Sequence, residues 1–458
     1  MNTRHLKATA VVLTILFAAC SHIDPPEPTP PADIHDPEDY ASGTLPMLFV
    51  NTVGNAPITS KEEYVSATYY LDAKGIDGIE SIGTADSQLA VKIRERGNAS
   101  RLFDKKPYRI KLGEKAPLLG MNKSKHFVLL ANVRDVNFAA DNVGFMLSRL
   151  LKLDWTPTMH PIELVVNGDY KGLYYLCEQI RVDKKRVNIT EQDDGETDPE
   201  KVTGGWLVEI DNYNEDGQIT IPDRTFGNII RFTSHSPENL SPEQRLYLTN
   251  LVTTIDSLIY DEDKSEAKWS EYVDADALAR FYILQEVMDN CESFSGSCYW
   301  HKERGNKTKI VFGPVWDFGG AYSHWECDFS EFIYNRVPSY CQQHWIGELA
   351  KFDLFQEKAR EVWLANRSAI AASIFDFIDV EKEKISEAIK SDKRRWPQYD
   401  YTPLDEKASQ TKAILQARIS FLDSAFGIGA NNVDTDHFHN HDNGEISASD
   451  SLGHRNRH

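Results

Sequence analysis

Two aspartates in the segment 289–320 have the residue type and the sequence setting for chemistry on a bound substrate. Asp289 follows a predicted amphipathic helix at 276–288, and Asp317 follows a predicted hairpin strand at 309–312. A carboxylate in the first setting could orient a substrate hydroxyl. A carboxylate in the second could bind Mg²⁺, which prefers oxygen ligands. The segment therefore predicts a site with one carboxylate for an acceptor and one for a metal.

Basic residues in the front half of the chain could contact phosphate. Arg96 lies in a turn-rich loop, and Lys106 heads a predicted strand that also carries Arg109. A lysine in this position can neutralise nucleotide phosphates when a carboxylate orients it, and Glu178, which follows another predicted strand, is the candidate. The alternative interpretation is a solvated basic strand face formed by Lys105, Lys106, Arg109 and Lys111.

Five short motifs occur in order along the chain. They are RGN at Arg96, KPYRIKL at Lys106, LAN at 130–132 with Asp135, VNGDYKGLY at Val166 with Glu178 following, and PVWD ending at Asp317. Together they resemble the CotH family, the spore-coat-protein-H kinases, over roughly residues 46–425. The resemblance implies an α+β, atypical protein-kinase-like fold with two lobes, β-rich in its N-terminal half and helical in its C-terminal half. It also implies transfer of the ATP γ-phosphate, with Mg²⁺ or Mn²⁺, to Ser or Thr of protein substrates.

The resemblance also implies residue roles in ATP binding. By motif match, Lys106 is the nucleotide lysine and Glu178 is its ion-pair partner. Arg96 and Arg109 are further cofactor-binding residues.

The same match assigns the catalytic and metal-binding groups. Asp289 is the catalytic-loop aspartate and Asp317 is a metal ligand, and both are expected to point into one cleft. A kinase-type catalytic loop carries Asn five residues after its Asp, where this chain has Phe294. Asn290 is therefore the candidate for the second metal ligand.

The first nineteen residues have the pattern of a bacterial signal peptide. Arg4 and Lys7 precede an apolar stretch at 8–17, which is too short for a permanent membrane span. The stretch ends in Ala-Ala before Cys20 and resembles a lipoprotein cleavage site. The sequence predicts a lipid on Cys20 and a location in the cell envelope, on the outer membrane, facing the periplasm or the surface. The alternative is ordinary secretion with an incidental cysteine.

The rest of the chain divides into three parts. A Pro-rich and acidic linker at 20–44 precedes one domain at 45–425, and a disordered His-rich tail follows at 426–458. The formal net charge of −20 argues against a nucleic-acid partner, since phosphate contacts need clustered Lys and Arg. Cys177 is predicted to be a buried thiol, and Cys327 and Cys341 a disulfide. Further helices are predicted at 241–260, 354–377 and 404–425.

Two other classes of function fit parts of this pattern. Little ATP is present outside the cytoplasm, so the same fold could serve as a non-catalytic, surface-anchored binding module. A carbohydrate-active surface protein would use the 9 Trp and 19 Tyr for sugar stacking and paired carboxylates for hydrolysis. A glycosidase has no need of basic residues such as Arg96 and Lys106, which argues against this last class. The sequence leaves the protein substrate open.

Overall fold

The computed structural model describes residues 34–133, 140–322, 329–335, 343–399 and 401–428. Strands dominate its first half and helices its second, which confirms the predicted α+β class and the order of the two halves. Within these ranges no helix combines the length and the apolar character needed to cross a membrane. Cys20, Asp135, Cys327, Cys341 and the histidines of the tail fall outside the described residues, so the lipid on Cys20 and the disulfide between Cys327 and Cys341 stay predictions.

Seven strands of the N-terminal half close into a barrel. They are β1 (Met47–Thr52), β2 (Val65–Asp72), β3 (Leu89–Glu95), β4 (Tyr108–Ala116), β5 (Ser124–Leu130), β6 (Met159–Val166) and β7 (Asp169–Glu178). The order is β1-β2-β3-β4-β5-β7-β6, and parallel pairing of β1 with β6 closes the ring. The sequence predicts a β-rich first half but not the closure of its strands, because closure depends on pairing between strands about a hundred residues apart.

The barrel has an apolar interior and a polar exterior on β3 and β4. Val91, Ile93 and Ile110 are buried in its core. Because side chains alternate along a strand, the residues between them, such as Lys92 and Arg109, face outward. The barrel therefore presents a basic outer surface to whatever lies beside it.

Five further strands form a second, open sheet. They are β8 (Trp206–Asp211), β9 (Ile219–Pro222), β10 (Ile229–Ser236), β11 (Cys298–Lys302) and β12 (Ile310–Phe312), in the order β12-β11-β8-β10-β9. Val208, Ile210 and Trp300 extend from one face into the main apolar core. The other face carries Glu209 opposite Tyr299. This polar face lies beside the outer surface of the barrel.

The helices lie mostly in the C-terminal half. They are α1 (Pro37–Tyr40), α2 (Ala140–Leu150), α3 (Pro242–Ile259), α4 (Ala275–Met288), α5 (Ile346–Leu349), α6 (Asp353–Arg395) and α7 (Leu404–Ala425). A capping box between Ser241 and Gln244 starts α3, since each side chain accepts the other's backbone N–H. The predicted helix at 404–425 is confirmed as α7, whereas α6 extends well beyond its predicted end at residue 377.

The last turns of α6 are attached to the barrel. The Asp392 carboxylate accepts the backbone N–H of Leu173 at 2.8 Å, and Arg395 Nε donates to the Tyr170 carbonyl at 2.9 Å. Both of these partners lie on β7. The long helix therefore joins the core of the helical half to the barrel.

Candidate functional site

A cleft of about 440 Å³ lies between the outer surface of the barrel and the polar face of the second sheet. Its walls come from both sides and from the segment that follows β7. The lining residues include Arg96, Arg109, Val128, Gln179, Ile180, Arg181, Val182, residues 191–194, His235, Tyr299 and Trp316. A volume of this size is typical of small-molecule and cofactor sites.

Two arginines form the basic wall of the cleft. Arg96 follows β3, and its guanidinium carbon lies 5.5 Å from the centre of the Trp316 ring. Arg109 lies on β4, where burial and the nearby charges of Arg96 and Arg94 lower the pKa of its guanidinium. Within the described part of the chain, the Nε atoms of Arg96 and Arg109 are buried without a hydrogen-bond partner. Buried donors of this kind are costly unless a ligand accepts from them, so this wall fits an anion.

The opposite wall carries a cluster of titratable side chains that was not predicted from the sequence. His235 Nε2 lies 2.6 Å from a Glu209 carboxylate oxygen, and the ring of His235 packs 5.3 Å from that of Tyr299. Burial lowers the pKa of His235, but the hydrogen bond and charge of Glu209 outweigh it, so the net pKa is raised. Burial, together with the charge of Glu209, raises the pKa of Asp211 to about 6. Carboxylates at alternate positions of the otherwise apolar run WLVEID were the available signal.

Lys106 and Glu178 do not form the expected ion pair, and this prediction is wrong. Lys106 Nζ donates to the Arg101 carbonyl at 2.7 Å. Ile110 of β4 pairs with Phe127 of β5, and Phe127 pairs with Glu178 of β7. Glu178 is therefore in register with Ile110, which is four residues beyond Lys106 in the chain. The two residues are therefore separated both along and across the strands.

The Glu178 carboxylate has its own partners at one end of the barrel. It accepts the Thr158 N–H at 3.1 Å and lies 3.7 Å from Arg186 Nε. Burial raises the pKa of Glu178, and the charge of Arg186 acts in the opposite direction. The Glu178 side chain is almost fully buried, which favours a structural role for it.

Lys105, rather than Lys106, is the buried lysine of this region. Its Nζ lies 2.9 Å from Asp392 Oδ2, and Tyr401 donates to the same oxygen at 2.8 Å. Both charged side chains are at most 2% exposed. Lys105 therefore joins the barrel to the end of α6 and does not line the cleft.

Asp289 and Asp317 do not share the cleft, so that prediction is also wrong. Asp289 ends α4 in the left-handed conformation (φ 51°), and its side chain is fully buried with Nε of Arg418 at 3.6 Å. Arg418 also donates to the Glu286 carbonyl at 2.9 Å, which fixes the end of the helix. Asp317 is exposed at the surface. The cap of α4 thus turns Asp289 into the core.

Residues just after Asp289 lie beside the Asp317 segment. Asn290 pairs with Ala321 in an isolated bridge, and its Oδ1 accepts the Glu292 N–H at 3.3 Å. A Cβ built on Gly320 would lie 3.4 Å from Glu292 Cγ, so the Glu292 side chain lies close to this segment. Glu292 is partly exposed, whereas Asn290 is buried with Nδ2 donating to Gln285 at 3.0 Å. Glu292 is therefore a partly exposed carboxylate close to Gly320, three residues after Asp317.

Helix α2 holds the Asp317 segment in place. The Asp141 carboxylate accepts the backbone N–H of Phe318 at 2.8 Å. Gly144 allows the Phe318 ring to lie against the helix, since a Cβ at this position would be 2.3 Å from that ring. The side chain of Phe145 packs against Trp316 at 6.1 Å. The orientation of Trp316 and Asp317 is thus fixed by α2.

The described residues form no cluster of metal-ligating side chains. Among the described residues, no three His, Cys, Asp or Glu side chains are grouped closely enough to hold a metal ion. Mg²⁺ in nucleotide sites usually has one or two carboxylates and completes its coordination with phosphate oxygens and water. Asp317, exposed and adjacent to the basic wall, fits such a site only together with a phosphate ligand.

Comparison with known proteins agrees with these features. Residues 93–422 match the family described as CotH kinase protein, and this range contains both walls of the cleft and the Asp317 segment. No curated protein matches the chain. Because the match covers most of the sequence, the chain belongs to the CotH kinase family and is a kinase-like protein.

Proposed function

We propose that this protein is a phosphotransferase that binds ATP with Mg²⁺ or Mn²⁺ in the cleft and transfers the γ-phosphate to Ser or Thr of a protein substrate. The observation that carries the proposal is the placement of Arg96 against Trp316, next to Asp317 and in the same cleft as Arg109. Phosphoryl transfer depends mainly on positioning and on neutralisation of phosphate charge. The two walls of the cleft supply side chains for positioning the ligand and for neutralising its phosphate charge.

The basic wall supplies the phosphate contacts. Arg96 and Arg109 bring two permanent positive charges with unused buried donors into the cleft. The planar guanidinium of arginine can donate two hydrogen bonds at once to the oxygens of a phosphate. This role replaces the one that the motif match gave to Lys106, whose amine is engaged with the Arg101 carbonyl.

The segment after β7 offers the surface for the base of the nucleotide. Gln179, Ile180 and Val182 line the cleft beside Val128 of the barrel. Apolar side chains with a few polar groups among them are typical of the walls of small-molecule and cofactor sites.

Two carboxylates complete the site. Asp317 holds the metal together with the phosphates, as the motif match implied. Glu292, close to Gly320, takes the role expected for Asp289 and orients the acceptor hydroxyl. Asn290 supports Glu292 through its 3.3 Å hydrogen bond and is the candidate for a further metal contact.

Thermal unfolding with and without Mg-ATP tests the binding step. A ligand at 100 times its dissociation constant adds about 2.7 kcal/mol to the free energy of unfolding, which is a measurable rise in the melting temperature. We expect this rise with Mg-ATP or Mn-ATP and none with oligosaccharides. A rise with oligosaccharides alone would support the carbohydrate-active alternative. The absence of any rise with nucleotide would favour the non-catalytic binding module.

We also propose that the protein is anchored in the cell envelope by a lipid on Cys20. The proposal is supported by the apolar stretch that ends in Ala-Ala-Cys. Replacing Cys20 by Ala should move the protein from the membrane fraction to the soluble fraction and abolish metabolic labelling with palmitate. Unchanged labelling of Cys20→Ala would contradict the proposal.

A further inference from the structure

The outer surface of the barrel carries a row of cations that continues beyond the cleft. This basic strip consists of Lys92 and Arg94 on β3, Arg109 and Lys111 on β4, and Arg181 in the segment after β7. Lys92 pairs in register with Lys111, and Arg94 pairs with Arg109 on the adjacent outward-facing positions of β3 and β4. Arg109 and Arg181 also line the cleft, so the strip and the cleft are continuous.

The strip contains few counter-charges. Arg94 lies 3.8 Å from a Glu62 carboxylate oxygen, and within the described ranges Lys92, Arg109, Lys111 and Arg181 take part in no ion pair. The local field is correspondingly positive. Burial lowers the pKa of His126, which pairs with Lys111, to about 3, and the charges of Arg181 and Lys111 act in the same direction.

This strip of like charge lies on a protein whose formal net charge is −20. Like charges on neighbouring strands destabilise the folded state unless they are solvated or bound by a ligand of opposite charge. The spacing of the strip also matches a peptide. Outward residues repeat every second position along a strand, which is about 6.8 Å, and an extended peptide presents its own side chains at the same interval.

We propose that the basic strip binds an acidic segment of the protein substrate and directs a Ser or Thr beside that segment into the cleft. This inference names the substrate class for the proposed transfer and rests on it. The strip joins the cleft at Arg109 and Arg181. An extended segment that starts at the Lys92–Lys111 pair and passes the Arg94–Arg109 pair would therefore lead toward the Asp317 segment. An acidic segment is favoured over an anionic membrane because the strip leads into the cleft, which a single extended segment can enter and a flat membrane surface cannot.

Binding of a labelled peptide tests the proposal. The probe is a fluorescein-labelled peptide with one Ser flanked by alternating Glu, and the comparison peptide has Lys in place of Glu. Measured by anisotropy on the full chain without nucleotide, the acidic peptide should bind and the basic one should not. Affinity should fall steeply between about 0.02 and 0.2 M salt, since screening weakens exposed charge pairs.

A charge-reversal pair locates the site. Lys92→Glu with Lys111→Glu should weaken binding of the acidic peptide by at least about tenfold. The matched control is Lys307→Glu with Lys309→Glu, which makes the same change in net charge. Both lysines are exposed in the loop between β11 and β12, and within the described ranges neither takes part in an ion pair. Equal losses in both double variants, or no loss in the first, would overturn the proposal.

Two further outcomes separate this inference from the proposed function. A normal Mg-ATP melting shift without acidic-peptide binding would overturn the inference alone. Peptide binding to the strip without any nucleotide shift would support the strip as an acidic-partner site and overturn the proposed transfer. Binding to anionic lipid vesicles with no binding of the peptide would also overturn the inference.

Discussion

The ammonium of Lys105 lies 2.9 Å from the carboxylate of Asp392, although 287 residues separate the two in sequence. Both side chains are buried, and the pair joins the loop before β4 to the end of α6. Burial lowers the pKa of Lys105 and the charge of Asp392 counteracts it. The contact fixes the barrel relative to the long helix.

Removing one partner of this pair should strongly destabilise the fold. Lys105→Met leaves the buried Asp392 carboxylate without its cation, and losses of this kind are about 3 to 5 kcal/mol. The measurement is the free energy of unfolding in guanidinium chloride. The neighbouring variant Lys106→Met is the control and should cost less than about 1 kcal/mol, because Lys106 is only half-buried. Equal losses for the two variants would contradict the assignment of Lys105 as the structural lysine.

Nucleotide affinity should depend on Arg109 and not on Lys106. Arg109→Met removes a buried donor from the basic wall and should weaken Mg-ATP binding by roughly 10- to 100-fold, the equivalent of one charge-assisted hydrogen bond. Lys106→Met should change it little, since its amine donates to the Arg101 carbonyl. Isothermal titration calorimetry measures both. The opposite ranking would restore the motif-based assignment of Lys106.

Stability should depend on pH through Asp211. Its pKa is raised in the folded protein to about 6 from an ordinary value of 3.8, so the folded state binds more protons than the unfolded state between these values. The free energy of unfolding therefore falls as the pH rises from about 4 to about 6, by up to roughly 3 kcal/mol.

The variant Asp211→Asn isolates this effect. It removes the disfavoured charge while keeping an oxygen that can accept from Tyr213 N, a 2.9 Å bond in the wild type. Its advantage in stability over the wild type should appear above about pH 4 and be complete near pH 7. A difference that does not vary over this range would show that Asp211 titrates normally.

The sequence identified the local parts of the site and missed their long-range partners. Arg96 and Arg109 were named from motifs, and each lines the cleft. The choice of Lys106 over Lys105 failed because the buried lysine of the two is decided by a carboxylate on α6, Asp392, which is remote in sequence.

The choice of Asp289 failed for a similar reason. Both Asp289 and Glu292 follow α4, and only the left-handed cap turns the first of them inward. The cation beside the buried Asp289 is Arg418 of α7. Arg418 also binds Glu286, which lies 132 residues earlier in the chain. No local sequence pattern predicts a contact between residues that are so far apart in the chain. Barrel closure and the Glu209–His235 cluster depend likewise on strands that meet only in the folded chain.

Transfer of radiolabelled γ-phosphate from ATP to an acceptor protein or peptide tests the central claim most directly. The comparison is among the wild type, Glu292→Gln and Asp317→Asn, each with its Mg-ATP affinity measured in parallel. We predict transfer by the wild type, no transfer with nearly normal nucleotide affinity in Glu292→Gln, and loss of both in Asp317→Asn. Transfer by Glu292→Gln at the wild-type rate would contradict the assigned acceptor carboxylate, and a wild type that binds no Mg-ATP and labels no acceptor would contradict the claim itself.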